Sequence, residues 1–311
     1  MRLPNLFSKK KHIVLWSVAA LIVANIIWGA AAPIFKWSLE STPPFTLAFF
    51  RFAIGALLIF PFVYNQLSVR KNDIIPLLSL SLLGTTINIT FFFLGLAKSQ
   101  SINAPIIASS GPIFIILFAY FFLREKIAKR EILGGALGMS GVLIIILSPI
   151  LKQGFDGSIQ GNMYFVVAML GSVTGTIILK KIIKNYNPLT LIFWSFVIGS
   201  ISFYPFFQQE IQRVGFLPNA NIQTYTGIIF GAVFASAIGY ALHGWALKYL
   251  PATETGIFTY IDPIIAVLIA APLLGEQPSS IFFAGSFFVF FGIYIAEGRI
   301  HYHPIHLLTK R

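Results

Sequence analysis

The 311-residue chain has no cysteine and very little charge, with 10% of its residues Asp, Glu, Lys or Arg. The absence of cysteine excludes disulfides, thiolate metal sites and a cysteine nucleophile. The scarcity of charge excludes more. Water-facing surface is built mainly from charged side chains, and a soluble domain carries about 25% of them. With 57% apolar residues and a mean hydropathy of +0.82, a soluble globular, disordered or collagen-like chain is ruled out. An integral membrane protein remains.

A helix crosses roughly 30 Å of hydrocarbon with about 20 apolar residues. Apolar runs bounded by charges, Pro and Gly predict ten spans. They lie at about 13–35, 45–64, 74–96, 102–123, 131–151, 161–180, 188–207, 224–247, 252–273 and 281–297. The longest connection, 208–223, is too short for a soluble domain. The first span has the basic start of a signal peptide and a small-residue run, Ala30, Ala31 and Ala32. Pro33 stands where cleavage would fall, so the span is expected to be retained.

With the N-terminus inside, about 17 Lys and Arg fall in inner segments and about 4 in outer ones, as the positive-inside rule favours. Residues 1–12 and 298–311 are therefore expected to be cytoplasmic tails of a protein of the cell membrane. The net charge of +12 is mostly this asymmetry. It faces anionic headgroups of the lipid bilayer, and no nucleic acid partner is needed to explain it.

The chain repeats itself. A shift of 151 residues pairs Pro112 with Pro263, Glu125 with Glu276, Gly134 with Gly285 and Gly141 with Gly292. A shift of 144 pairs Pro44 with Pro188, Gly55 with Gly199 and Pro61 with Pro205. Two units follow, 13–151 and 161–297, with five spans each. An odd number of spans makes the second unit enter the membrane from the opposite side. The expected fold is thus an all-α integral membrane protein, ten transmembrane helices as two inverted five-helix repeats. Secondary transporters use this architecture to place substrate near the midplane.

Each half ends in a small-residue approach, a mid-helix Pro, Leu-x-Glu and a Gly-x6-Gly helix, over Asn103–Gly141 and Glu254–Gly292. With Trp28-Gly29 and Arg51-Phe52, the chain resembles the EamA family of the drug/metabolite transporter superfamily. The resemblance implies two EamA-like repeats in a cytoplasmic-membrane carrier, commonly an exporter of amino acids, other metabolites or toxic compounds.

Positions alike in both halves suit a shared scaffold, whereas polar residues with apolar mates need another explanation. Pro112 and Pro263 are alike. Each removes a helix hydrogen bond and frees a carbonyl that must find a partner inside the protein or in a cavity, so both read as kinks and as candidate gating positions. Arg51, His243, Glu254 and Asp262 are mismatched. An ionisable residue inside a span is costly, and its presence is by default a functional signal. Arg51, near the outer end of its span, is expected to snorkel to the interface or to make a structural pair. Glu254, at a helix N-terminus, is either a helix-end charge or a gate.

Ser236, Tyr240 and His243 share one helical face, as do Thr255, Thr259 and Asp262. The two stripes lie at matching depth and are expected to face a shared space. Histidine titrates near neutrality, so His243 with Asp262 is a candidate carrier of a coupling proton. A closed network that only holds the helices together is the other reading. In the first half the candidates for substrate contact are Asn25, Trp28, Thr85, Asn88 and Phe92, and in the second Tyr240, His243, Thr259 and Asp262. Aromatics with a few amides and hydroxyls suit an organic, partly apolar solute.

A secondary active transporter of a small organic solute, exporting by alternating access, is the function expected. A lipid or headgroup flippase is the alternative. Gly138-Met139-Ser140-Gly141 matches the Gly-x-Ser-Gly of intramembrane proteases, but the glycines have glycine mates while Ser140 faces Phe291, so packing explains them. No metal site, cofactor or enzymatic activity is expected, and the protein would work as a monomer or homodimer.

Overall fold

The computed structural model describes residues 4–114, 118, 129–153, 157–215, 220–250 and 255–297. Every regular element among them is helical. We label them α1 Pro4–Leu39, α2 Pro44–Val63, α3 Lys71–Leu96, α4 Asn103–Ala108, α5 Lys129–Gln153, α6 Gly157–Ile182, α7 Pro188–Val214, α8 Ile222–Tyr249, α9 Ile261–Leu274 and α10 Ser280–Glu297. Among the described residues, six helices are long and apolar enough to cross a membrane: α1, α2, α3, α6, α7 and α8. Large apolar side chains point outward, among them Leu57, Phe62, Ile75, Leu268 and Phe287, while Thr85, Asn162 and Ser236 are buried. Apolar outside with polar groups inside is the arrangement for a chain whose solvent is lipid.

Helix ends follow local chemistry. Pro44 and Pro188 begin α2 and α7, where a missing N–H costs nothing. Asn187 and Asn221 cap α7 and α8 by accepting from Leu189 N and from Gln223 N and Thr224 N. Helix α9 stops at Gly275, whose φ of +67° favours glycine.

One expected boundary differs. Residues 208–214, read as connection, continue α7 to Val214. The extension has a purpose: Glu210 accepts from Phe45 N at 3.1 Å, Thr46 N at 2.6 Å and the Thr46 hydroxyl at 2.8 Å, capping the first turn of α2. Helix α1 begins at Pro4, so the stretch 1–12 expected as a tail is helical from that residue on.

Packing runs between distant parts of the chain. Helix α5 lies along α10, α2 along α7, α1 along α8 and α9, and α6 along α3. The closest approaches are made by glycines. A Cβ on Gly141 would stand 2.5 Å from Gly285 O, and one on Gly292 would strike the Gly138 backbone. Small residues at such crossings let helices approach until their backbones touch.

Candidate functional site

Two helices change their winding where they pass the interior. A π-helical stretch, Leu82–Ile87, interrupts α3, and another, Phe230–Ile238, interrupts α8. Widened turns of this kind are frequent at functional sites, because they disturb the regular hydrogen-bond ladder. Trp28 on α1 uses one of them: its indole N–H donates to Ala235 O at 3.0 Å. The bond fixes the ring 5.4 Å from Tyr240 and 5.2 Å from His243, centroid to centroid.

A cavity of about 260 Å³ opens beside these turns. Eight of the nine residues expected to touch substrate line it: Trp28, Thr85, Asn88, Phe92, Tyr240, His243, Thr259 and Asp262. Helices α1, α3, α8 and α9 thus bring both halves of the chain to one space. Asn88 is held by its amide, which donates to Ala168 O at 2.7 Å. Asn25 is not on the wall. It is buried and donates to Leu21 O at 2.7 Å within its own helix. Glu254 lies outside the described residues.

His243 and Asp262 share the cavity but are not joined by a hydrogen bond or ion pair among the described residues. Helix α1 packs against both of their helices. Trp28 stands beside His243, and Gly29 lies against the Asp262 main chain, where a Cβ would be 2.7 Å from Asp262 O. Asp262 is 9% exposed, and its Oδ1 accepts no hydrogen bond among the described residues. A buried carboxyl in that state is costly.

Of the two expectations for Arg51, snorkelling fails and a polar pairing inside the protein is what is found. Arg51 is 3% exposed, and the guanidinium lies 5.0 Å from the Phe35 ring centroid and 5.1 Å from that of Phe52. Its Nε donates to Ser236 Oγ at 2.8 Å, and it lines the cavity. Sequence depth alone missed this, because Phe35 on α1 and Ser236 on α8 are remote from Arg51 in the chain. A mismatch with Ser195 in the repeat was the available signal.

Both prolines stand where the helical winding is interrupted, after a turn at Ser109–Ser110 and after a 3-10 stretch at Ile257–Tyr260. Pro112 lines the cavity beyond the end of α4. Pro263 is the third residue of α9, preceded by a 3-10 turn at Ile257–Tyr260. The carbonyl that Pro263 leaves free, Thr259 O, has the Ser109 hydroxyl 3.4 Å away.

One end of the cavity region is tied by a polar cluster absent from the sequence candidates. Lys36 Nζ lies 2.8 Å from Glu276 Oε1 and donates to Ser99 O at 2.6 Å. Glu276 also accepts from Ser101 N, Ser101 Oγ and Ile102 N. The left-handed Gly275 turns the chain so that Glu276 reaches these donors. At the other end Lys180 Nζ donates to Leu247 O and Leu250 O, both at 2.5 Å.

The pattern of the EamA-like transporter family matches residues 15–147 and again 159–297. An uncharacterized transporter of Archaeoglobus fulgidus is 28% identical over 280 residues, covering 90% of this chain and 97% of the relative. The uncharacterized transporter YetK of Bacillus subtilis is 26% identical over 282 residues, covering 89% of this chain and 85% of the relative. A solved crystal structure shares the fold with a TM-score of 0.63 at 15% identity, covering 90% of this chain and 96% of that one.

Proposed function

The chain belongs to the EamA-like transporter family, and from that premise we propose that it is a secondary carrier of a small organic solute, working by alternating access and exporting from the cell. The observation that carries the reading is convergence. Polar and aromatic residues from both halves of the sequence meet on one cavity, beside two π-helical turns and the Asp262 carboxyl, whose Oδ1 accepts no hydrogen bond among the described residues. A volume of about 260 Å³ lies near the small end of ligand pockets, about 300–1,000 Å³. It suits a metabolite-sized solute better than a lipid.

In this reading the ten helices form two inverted repeats, 13–151 and 161–297, with both termini cytoplasmic. The pairings support it. Equivalent helices of the two units pack on each other, as in α2 with α7 and α5 with α10. Both π-helical stretches fall in the third span of a unit. Lys36 and Lys180, related by the 144-residue shift, bind carbonyls of Ser99 and Leu250, related by the 151-residue shift. Alternating access then has a physical form. Opening the cavity to one face parts the Lys36–Glu276 cluster, and opening it to the other parts Lys180 from the end of α8.

A proton is the proposed coupling ion. The titratable side chains on the cavity wall are Arg51, Tyr240, His243 and Asp262, and Asp262 with His243 are the groups that would exchange it. Counterflow in liposomes reconstituted with the purified protein tests the carrier reading. Saturable exchange of a small solute is expected; flux that never saturates would make it a channel, and no flux would remove the reading.

A further inference from the structure

Arg51 is a permanent charge inside a span, and the protein supplies only part of what that charge needs. Its Nε donates to Ser236 Oγ, and the faces of Phe35 and Phe52 hold the guanidinium in place. A guanidinium has five N–H donors and does not lose its proton inside a protein, so this one hydrogen bond leaves most of the fork unused. The single ion pair among the described residues joins Lys36 to Glu276, and no carboxylate pairs with Arg51. Cation–π contacts recover a small part of what a buried charge loses on leaving water. An uncompensated one remains strongly penalised.

The unused donors open on the cavity. Arg51 lines it, and none of the fully enclosed side-chain atoms without a partner among the described residues is an Arg51 nitrogen. The terminal N–H groups of the fork therefore reach that space. Tyr240 stands on the same wall, within electrostatic reach of Arg51. Its hydroxyl makes no hydrogen bond among the described residues and is not enclosed either. Rings in contact set the spacing of the two donors. Arg51 lies over Phe52, Phe52 is 5.2 Å from Phe196, and Phe196 is 5.3 Å from Tyr240. Around them the wall is apolar, with Ala31, Ala32, Phe35 and Phe92. A fixed positive fork and a free hydroxyl on a dry wall suit an anion, because hydrogen bonds to an ionised partner are the strong ones.

We propose that Arg51 and Tyr240 hold a small inorganic anion, chloride in the cell, as the counter-ion of the solute-free protein. A solute comes and goes with each cycle, whereas Arg51 is charged throughout. Its partner must be an ion that is always at hand. A halide fills a small part of the cavity of about 260 Å³ and leaves room for an organic solute beside it. The inference concerns a resident ion and not the transported solute, so it holds for a channel as well as for a carrier.

The test exchanges the purified full-length protein into sodium gluconate and titrates in sodium chloride at constant ionic strength. Thermal unfolding and the line width of chloride in ³⁵Cl NMR are followed together. The wild type is expected to gain about 2–4 °C in its unfolding midpoint, saturably, once chloride reaches about ten times its Kd. Excess line width that bromide displaces should accompany the gain. Arg51→Gln is expected to lose both effects, and in gluconate to unfold no earlier than the wild type, since its lone buried charge is gone. Tyr240→Phe should weaken chloride several-fold and leave it saturable. A wild type without a saturable chloride effect overturns the inference, as does an Arg51→Gln protein that keeps it. So does binding of acetate where chloride fails, which gives Arg51 to an organic anion. If Arg51→Gln does not fold, Tyr240→Phe decides, and an unchanged chloride affinity there overturns the site. Absence of solute counterflow with the chloride effect intact would remove the carrier and leave this ion in place.

Discussion

Gly29 lies against the main chain of Asp262, so close that a Cβ would stand 2.7 Å from Asp262 O and 2.8 Å from Ile265 Cβ. The neighbour on that side is backbone, which cannot rotate away. Gly29→Ala is expected to push α9 off α1, cost about 1–3 kcal/mol by thermal or denaturant unfolding, and reduce transport by displacing Asp262.

The two buried carboxyls, Asp262 and Glu276, predict opposite outcomes. Glu276 accepts from Ser101 and Ile102 and pairs with Lys36. Glu276→Gln should therefore destabilise the fold by about 3 kcal/mol. Asp262 Oδ1 accepts no hydrogen bond among the described residues, so Asp262→Asn should leave stability within about 1 kcal/mol of the parent or raise it. Unfolding midpoints in one detergent compare them directly.

The chain contains no cysteine, so a single one can report cavity access. Ala108 lines the cavity. In an Ala108→Cys protein, adding Lys36→Met removes the ion pair at one end. Labelling by a membrane-impermeant maleimide from that side should rise several-fold if the cluster holds the cavity shut. An unchanged rate would deny it a gating role.

An imposed pH gradient is expected to drive solute accumulation in proteoliposomes. His243→Ala is expected to abolish that response while the protein still folds. If a solute gradient alone gives the same flux at every pH, the protein is a facilitator and the proton has no part.

Much of this was legible in the sequence because helices expose period. Tyr240 and His243, and Thr259 and Asp262, fall on single helical faces, and the structure puts all four on one wall. Other features depend on contacts between remote segments, which no local pattern encodes. Arg51 reads as snorkelling or paired, and which of the two holds depends on Phe35 and Ser236 closing around it. Glu276 reads as part of a repeat mark, and its donors, Ser101 and Ile102, lie in another helix connection. Asn25 stands apart for a local reason: its amide nitrogen donates back to Leu21 O within α1.

The central claim is that Asp262 stands in the solute's path, and counterflow of wild-type and Asp262→Asn proteins in matched liposomes tests it most directly. Saturable exchange by the wild type, and loss of about tenfold or more in an equally stable Asp262→Asn protein, is the result predicted. Full saturable exchange by that variant would contradict the account, because a solute could then cross without the Asp262 carboxyl on the cavity wall.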